Sequence, residues 1–474
     1  MRQRLLTEQN KKWWTLGAVA VGLFMIMLDN TVVNVALPAI QRDLGADLSS
    51  LEWIVSGYAL TFAALMLTGG KLADAYGRRL IFVLGIAVFT LSSLACGLAT
   101  SEDMLIAARV VQGAGAALMN PATLSIIAAT FAPKERGMAI GIWAGVAALA
   151  LAIGPLVGGL LTEHLDWSWI FFVNVPVGIA GIATSFVFIE ESRDDTHERL
   201  DIPGLITSGL GLFALTYALI EANTYGWGSA RIVGGFAAAA VLLVAFLLLE
   251  RRQRAPMLDL SLFRSGTYAG ANLVILLVAL AMFGVFFFVS LYMQNILGYS
   301  AVQTGAAFLP MTVLIILAAP MAGKASDRFG SRWLMTAGMV LISVQLLYFS
   351  QLASDASFWR LLPALLVGGL GMSLTMTPST AAATRAVPVE KAGVGAAVLN
   401  AFRQVGGSMG IAVMGAIVAS RAGGERSPEA FMRGFEAALL TASVIAFAGA
   451  IVAATLVRSH HERRTAPAVV PEVG

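Results

Sequence analysis

Apolar residues in this chain run in long unbroken stretches rather than in alternating or amphipathic patterns. They cover approximately residues 15–37, 52–69, 80–99, 104–128, 138–161, 169–189, 202–220, 232–249, 268–291, 302–322, 333–352, 359–378, 394–418 and 436–457. Each stretch is near the ~20 apolar residues that cross a bilayer as one helix. The fourteen segments predict an all-α polytopic membrane protein. The first is too long for a signal-peptide core and lacks a small-residue cleavage site, so it stays in the membrane. Boundaries are least sharp over 202–249, where glycine and polar residues dilute the pattern.

Composition agrees. Of 474 residues, 58% are hydrophobic and 12% charged, against roughly 25% charged in soluble domains. So much apolar surface cannot be buried inside a soluble globule of this length. A soluble enzyme, a nucleic-acid binder and a secreted disulfide scaffold are therefore excluded, and the single cysteine, Cys96, permits no internal disulfide. The net charge is only +3, but its distribution is lopsided. Twenty-three of the 31 Lys and Arg fall on the side holding the N-terminus, six on the other, and Arg109 and Arg403 within spans. Basic loops stay in the cytoplasm, so both termini are expected there. That requires an even number of spans, fourteen or twelve rather than thirteen.

The sequence repeats itself. Gly70-Lys71-Leu72-Ala73-Asp74-Ala75-Tyr76-Gly77-Arg78-Arg79 recurs as Gly323-Lys324-Ala325-Ser326-Asp327-Arg328-Phe329-Gly330-Ser331-Arg332. A second pair, Pro133, Glu135, Arg136 against Pro388, Glu390, Lys391, has nearly the same offset. Eight spans separate the copies, an even number, so both lie on one face. The repeat is parallel, about an axis along the membrane normal. The spans at 202–220 and 232–249 read as a pair inserted between halves. The expected organisation is an N-tail (1–12), a six-helix bundle (13–190), a linker carrying the inserted pair (191–265), a second six-helix bundle (266–457) and a C-tail (458–474).

The loop at 70–79 resembles the signature of the major facilitator superfamily. On physical grounds Gly70 and Gly77 suit a tight reversal, and Asp74 can accept hydrogen bonds from a helix N-terminus. The resemblance implies a cytoplasmic latch between halves, formed by Gly70, Asp74, Gly77 and Arg78 with Asp327 from the second copy. In the fifth span, Gly145, Gly154, Pro155, Gly158 and Gly159 resemble the glycine–proline motif of the antiporter branch. Gly154 and Gly158, four apart, make a flat face for close helix approach, and Pro155 bends the helix. Leu28-Asp29-Asn30-Thr31-Val32-Val33-Asn34-Val35-Ala36-Leu37-Pro38 and Trp169-Ile170-Phe171-Phe172-Val173-Asn174-Val175-Pro176 are similar to segments of the fourteen-span drug:proton antiporters. The second loop copy departs from the signature at Ala325, Ser326 and Ser331, which predicts a weaker latch there.

Of the 28 acidic residues, only Asp29 lies clearly inside a span, with Glu52 and Glu221 at span edges. A charge at bilayer depth requires a partner or a cavity. Asp29 lies ~13 Å from the outer end of its helix and Arg109 ~8 Å, counted back from Pro38 and from the start of the fourth span at 1.5 Å per residue. An arginine side chain spans the difference, so Asp29 and Arg109 are expected to share a polar cavity with Gln112. Arg109-Val110-Val111-Gln112-Gly113-Ala114-Gly115 also resembles the family's proton-coupling segment. Two readings stand, a proton-coupling pair and a static ion pair that fixes helix packing. Arg403 is a second intramembrane arginine with no obvious acid, either structural or substrate-facing.

A substrate wall is expected from Asn34, Tyr58, Gln112, Met119, Trp143, Phe287 and Arg403, since aromatic and Met surfaces adapt to flat apolar ligands. The resemblance implies proton-coupled efflux of hydrophobic, often cationic, drugs or antibiotics by alternating access. An exporter of one endogenous natural product is the alternative, and a polytopic membrane enzyme or a non-transporting receptor a remote one. The four histidines, His164, His197, His460 and His461, lie in loops or the tail, and no Gly-x-x-x-x-Gly-Lys-[Ser/Thr] occurs, so no enzyme is expected. No cofactor or metal is expected beyond the proton gradient. The expected partners are protons, the lipid bilayer and a small substrate, without nucleic acid. The protein is expected to act as a monomer in the bacterial inner membrane.

Overall fold

The structure is a computed structural model that describes residues 8–193, 201–253, 256–387, 392–423, 425 and 427–458. The repeat residues Pro388, Glu390 and Lys391 lie outside these, as do Arg2, Arg4, Arg199, Arg254, Arg426, Arg463, Arg464, His197, His460 and His461. Among the described residues, fourteen helices are long and apolar enough to cross a membrane. They are α1 (Asn10–Leu44), α2 (Leu48–Tyr76), α3 (Arg78–Gly97), α4 (Glu102–Thr130), α5 (Glu135–His164), α6 (Trp169–Phe188) and α7 (Ile202–Tyr225). The remainder are α8 (Ala230–Arg252), α9 (Gly266–Ile296), α10 (Ala301–Phe329), α11 (Ser331–Phe349), α12 (Phe358–Arg385), α13 (Val394–Ala422) and α14 (Pro428–Leu456). No strand occurs among the described residues.

Local sequence sets the helix ends. Asp47, Ser101, Ser229 and Ser427 each accept a hydrogen bond from the backbone N–H three residues on, in the manner of N-caps. Ser300 and Gln303 form a reciprocal capping box at the start of α10. The two repeat glycines mark the sharpest reversals. Gly77 joins α2 to α3 at φ +121°, and Gly330 joins α10 to α11 at φ +84°, conformations that side chains with a Cβ rarely adopt. Gly70 has no such role, because it lies inside α2. The reversal belongs to Gly77 alone.

The duplication is visible in the packing. In the first bundle α1 packs on α5 and α6, α2 on α4, and α3 on α4 and α6. In the second, α9 packs on α13 and α14, α10 on α12, and α11 on α12 and α14. Each pairing is the other shifted by eight helices, as a parallel repeat demands. The bundles meet along two seams that are also equivalent under this shift, α2 with α13 and α5 with α10. At the first seam Ser56 and Ser408 exchange hydroxyl-to-carbonyl hydrogen bonds of 3.4 Å. The inserted pair α7 and α8 pack on each other, and α7 rests against both α2 and α13. Large apolar side chains such as Leu91, Val241, Met321 and Val444 are exposed on the outer faces, where lipid is the natural solvent.

Candidate functional site

The fifth-span glycines divide into distinct tasks. A Cβ on Gly154 would stand 1.8 Å from Thr31 Oγ1, and one on Gly158 2.7 Å from the Val32 carbonyl oxygen. These two therefore form the face on which α1 lies. Gly159 turns the other way, where a Cβ would meet the Ala301 carbonyl oxygen of α10 at 2.5 Å. Across the same contact, Gly305 sits against the Pro155 carbonyl, 2.1 Å from where its Cβ would be. Gly145 has open space around it, so close packing does not explain that residue.

Asp29 and Arg109 meet directly. Arg109 Nη1 donates to Asp29 Oδ2 at 2.5 Å and to Gln112 Oε1 at 2.6 Å, while its Nε donates to the Ile54 carbonyl at 3.1 Å. Gln112 Nε2 returns a bond to Asp29 Oδ1 at 3.0 Å. Ser93 links this group to Asn174, and the guanidinium lies 4.2 Å from the centre of the Tyr58 ring. Asp29, Gln112 and Ser93 are wholly buried. The expected polar cavity is instead a closed, fully packed network inside the first bundle, drawn from α1, α2, α3, α4 and α6.

The central cavity lies elsewhere, between the bundles. Its volume is about 140 Å³, and its walls come from α1, α5, α9, α10, α12 and α13. Asn34 and Arg403 line it, with Asn30, Thr31, Phe283, Phe286, Thr312, Met372, Met376 and Gln404. The other expected wall residues point away. Tyr58 and Gln112 belong to the Asp29 network. Met119 is buried against Gly22 and Gly85, and Phe287 against Phe288. Trp143 donates its indole N–H to Thr123 Oγ1 at 3.0 Å. Nor does any described lining residue carry a carboxylate, so this wall offers no counter-charge to the cationic substrates expected above.

A second cavity of about 610 Å³ lies where the α1–α2 turn approaches the α13–α14 turn. Glu52 lines it, almost fully buried against Gly415 of α13, with Oε2 unpaired.

The loop at 70–79 is joined to its own bundle and to the linker. Arg78 Nε donates to Asp74 Oδ1 at 2.9 Å, and the Arg78 amide to the Ser192 carbonyl at 2.9 Å. The amides of Arg79 and Leu80 donate to the Glu191 carboxylate, and Lys71 to the Pro256 carbonyl. Asp327 instead pairs with Arg385 of α12. The two loop copies are thus not joined to each other among the described residues. Where the second copy departs from the first, a bond replaces the charge pair, since Ser326 and Ser331 share a 2.8 Å hydroxyl contact.

Outside the spans, Asp201 caps α7 and ties it to the end of α8. Burial pushes its carboxyl up, but bonds involving the Gly204 amide, Glu250, Gln253 and the Met257 amide outweigh this and hold it below the ordinary value.

Comparisons with known proteins agree with this architecture. A family model described as Major Facilitator Superfamily matches residues 19–410, and residues 271–472. The chain is 39% identical over 421 residues to a tetracenomycin C resistance and export protein of Streptomyces glaucescens, covering 88% of this chain and 77% of that protein. It is 37% identical over 466 residues to a puromycin resistance protein of Streptomyces alboniger, covering 95% and 92%. A bacterial homologue of the human lysosomal transporter Spinster, in an inward-facing, unoccupied conformation, superposes with TM-score 0.68 at 18% identity, over 97% and 99% of the two chains. That likeness is one of fold.

Proposed function

The chain belongs to the major facilitator superfamily, and on that footing we propose that it exports hydrophobic drugs or antibiotics by alternating access, in exchange for protons. It is a multi-pass membrane transporter and not an enzyme. The observation that carries the reading is the central cavity, walled by helices of both bundles, where rocking about the two seams would expose it to each side in turn. Its volume is below the 300–1,000 Å³ or so of drug-sized sites, so this conformation is contracted and must widen to load. The relatives named for resistance to tetracenomycin C and puromycin support antibiotics as cargo.

Asp29 is the proton carrier in this proposal, because it is an intramembrane carboxylate with a full set of partners that favour its charged form. Protonation leaves the Arg109 guanidinium without its counter-ion in a dry site, a state that helix movement can relieve. Asp74, Gly77 and Arg78 hold the cytoplasmic loop against Glu191 and Ser192 through each cycle. The protein works as a monomer in the bacterial inner membrane, both termini in the cytoplasm, with protons, lipid and a small substrate as its partners. No cofactor or nucleic acid takes part. A natural-product exporter of narrow range is the second reading, favoured by the unpaired polar groups of Asn34 and Gln404 at the cavity, since such groups discriminate between ligands. The test is a panel of drug susceptibilities in cells lacking their own pumps, with efflux from proteoliposomes under an imposed pH gradient. Protection against many unrelated drugs supports the broad reading and protection against one the narrow; no protection and no efflux would overturn both.

A further inference from the structure

The two intramembrane arginines have opposite surroundings. Arg109 is saturated by Asp29, Gln112 and the Ile54 carbonyl. Arg403 lines the central cavity, and among the described residues it has no hydrogen bond, ion pair or ring contact. Beside it Gln404 is buried, with Nε2 left without an acceptor. A guanidinium at membrane depth is expensive, and one without a protein partner marks a place where another molecule supplies it.

The remaining polar groups narrow the choice. Asn30 Nδ2 donates to the Ile26 carbonyl at 2.9 Å, Asn34 Nδ2 to the Asn30 carbonyl at 3.2 Å, and the Thr31 and Thr312 hydroxyls to Leu28 and Leu309 carbonyls at 3.1 and 3.0 Å. These donors are spent on their own helices, leaving Asn34 Oδ1 buried without a donor. The free donors, Arg403 and Gln404, thus cluster on α13, and the free acceptor faces from α1. Phe283, Phe286 and Met376 supply apolar surface between them. No described lining residue is acidic.

From this we infer that the central cavity is a binding site for an aromatic acid: a flat, mostly apolar molecule whose ionised phenol or carboxylate is held by Arg403 and Gln404, with a hydroxyl donating to Asn34. The inference rests on the export reading and names its substrate class. A planar guanidinium matches such an oxyanion through two parallel bonds, whereas a lipophilic cation entering the same space meets a like charge.

Two dyes with the same tricyclic ring system test this, anionic fluorescein and cationic rhodamine 123. Binding to the purified full-length protein is measured by fluorescence anisotropy in detergent, without a gradient. The wild type should bind fluorescein more tightly than rhodamine 123. Arg403→Gln should weaken fluorescein binding about 10- to 100-fold without weakening rhodamine 123, and Arg403→Lys should fall between, keeping the charge but losing the fork. An unchanged thermal midpoint confirms that each variant folds; should the Gln variant not fold, Arg403→Lys and Gln404→Ala carry the comparison. Equal or tighter binding of rhodamine 123 by the wild type, no saturable fluorescein binding, or fluorescein affinity indifferent to these changes would overturn the inference. Gradient-driven dye movement in proteoliposomes is scored separately. A dye that binds as described but is not moved counts against export and not against the acid site.

Discussion

Arg109 Nη1 and Asp29 Oδ2 stand 2.5 Å apart, neither side chain more than 1% exposed, although the residues belong to helices α4 and α1. Their partners are complete on both sides, so any change of charge at one is felt at the other.

Asp29→Asn should therefore abolish energy coupling while preserving downhill exchange. With one proton per cycle, one pH unit supports ~10-fold accumulation of a monovalent cation, for which the exchange is electroneutral. A neutral substrate gains a further ~50-fold per 100 mV. Proteoliposomes with pH and voltage imposed independently measure both. The Asn variant should equalise drug across the membrane; accumulation at the wild-type ratio would remove Asp29 as the carrier. Arg109→Ala should instead destabilise the fold, by about 3–5 kcal/mol, because it strands a buried carboxylate.

Substitutions along the glycine stripe of α5 should separate by position. Gly158→Ala sets a Cβ against the backbone of Val32, which cannot rotate away, and overpacking of this kind costs about 1–3 kcal/mol. Transport should fall sharply, and Gly158→Leu should abolish it. Gly145→Ala enters open space and should leave both transport rate and thermal midpoint unchanged. Equal effects at the two positions would refute the assignment of Gly158 to helix approach.

In the cytoplasmic loop, Gly77→Ala should cost about 1–3 kcal/mol, since it combines a positive φ with a Cβ 2.8 Å from the Glu191 carboxylate. Gly70→Ala would make only an ordinary 3.5 Å contact with Pro121 and should be silent. Asp74→Asn breaks a half-exposed pair worth at most about 1 kcal/mol, so membrane levels should stay normal while transport falls. Normal transport in a correctly inserted Asp74→Asn protein would end the proposed latch.

How far these contrasts were legible in the sequence differs from residue to residue. The depth of Asp29 and Arg109 follows from counting, because helix rise is fixed and a bilayer orders the spans. The spans and the repeated turn glycines, Gly77 and Gly330, are equally plain, since each is a local requirement. The cavity wall was not legible. In a helix as uniformly apolar as α9, nothing local says that Phe283 and Phe286 face the interior space while Phe287 packs inside the bundle. The same holds for Met119, and for Gly145 beside Gly154. Gln404 did carry a signal, being a polar residue next to Arg403 in an apolar span.

Asp201→Ala should loosen the linker at the cytoplasmic end, costing about 0.5–2 kcal/mol for the lost N-cap. Because the folded-state carboxyl lies below its ordinary value, the stabilisation is full above ~pH 4 and is lost as pH falls through the depressed value. Thermal unfolding of wild type and variant should differ at pH 7 and converge in acid. A difference that persists undiminished in acid would place the stabilisation in another group.

The contact of α7 with both α2 and α13 breaks the equivalence of the two seams. One crevice is roofed along its length by an extra pair of helices, and the other, between α5 and α10, is bare to the bilayer. A molecule already dissolved among the acyl chains thus meets a single side entrance. The duplicated body becomes one-handed in its traffic, admitting cargo laterally on one flank and sliding against a fixed gasket on the other.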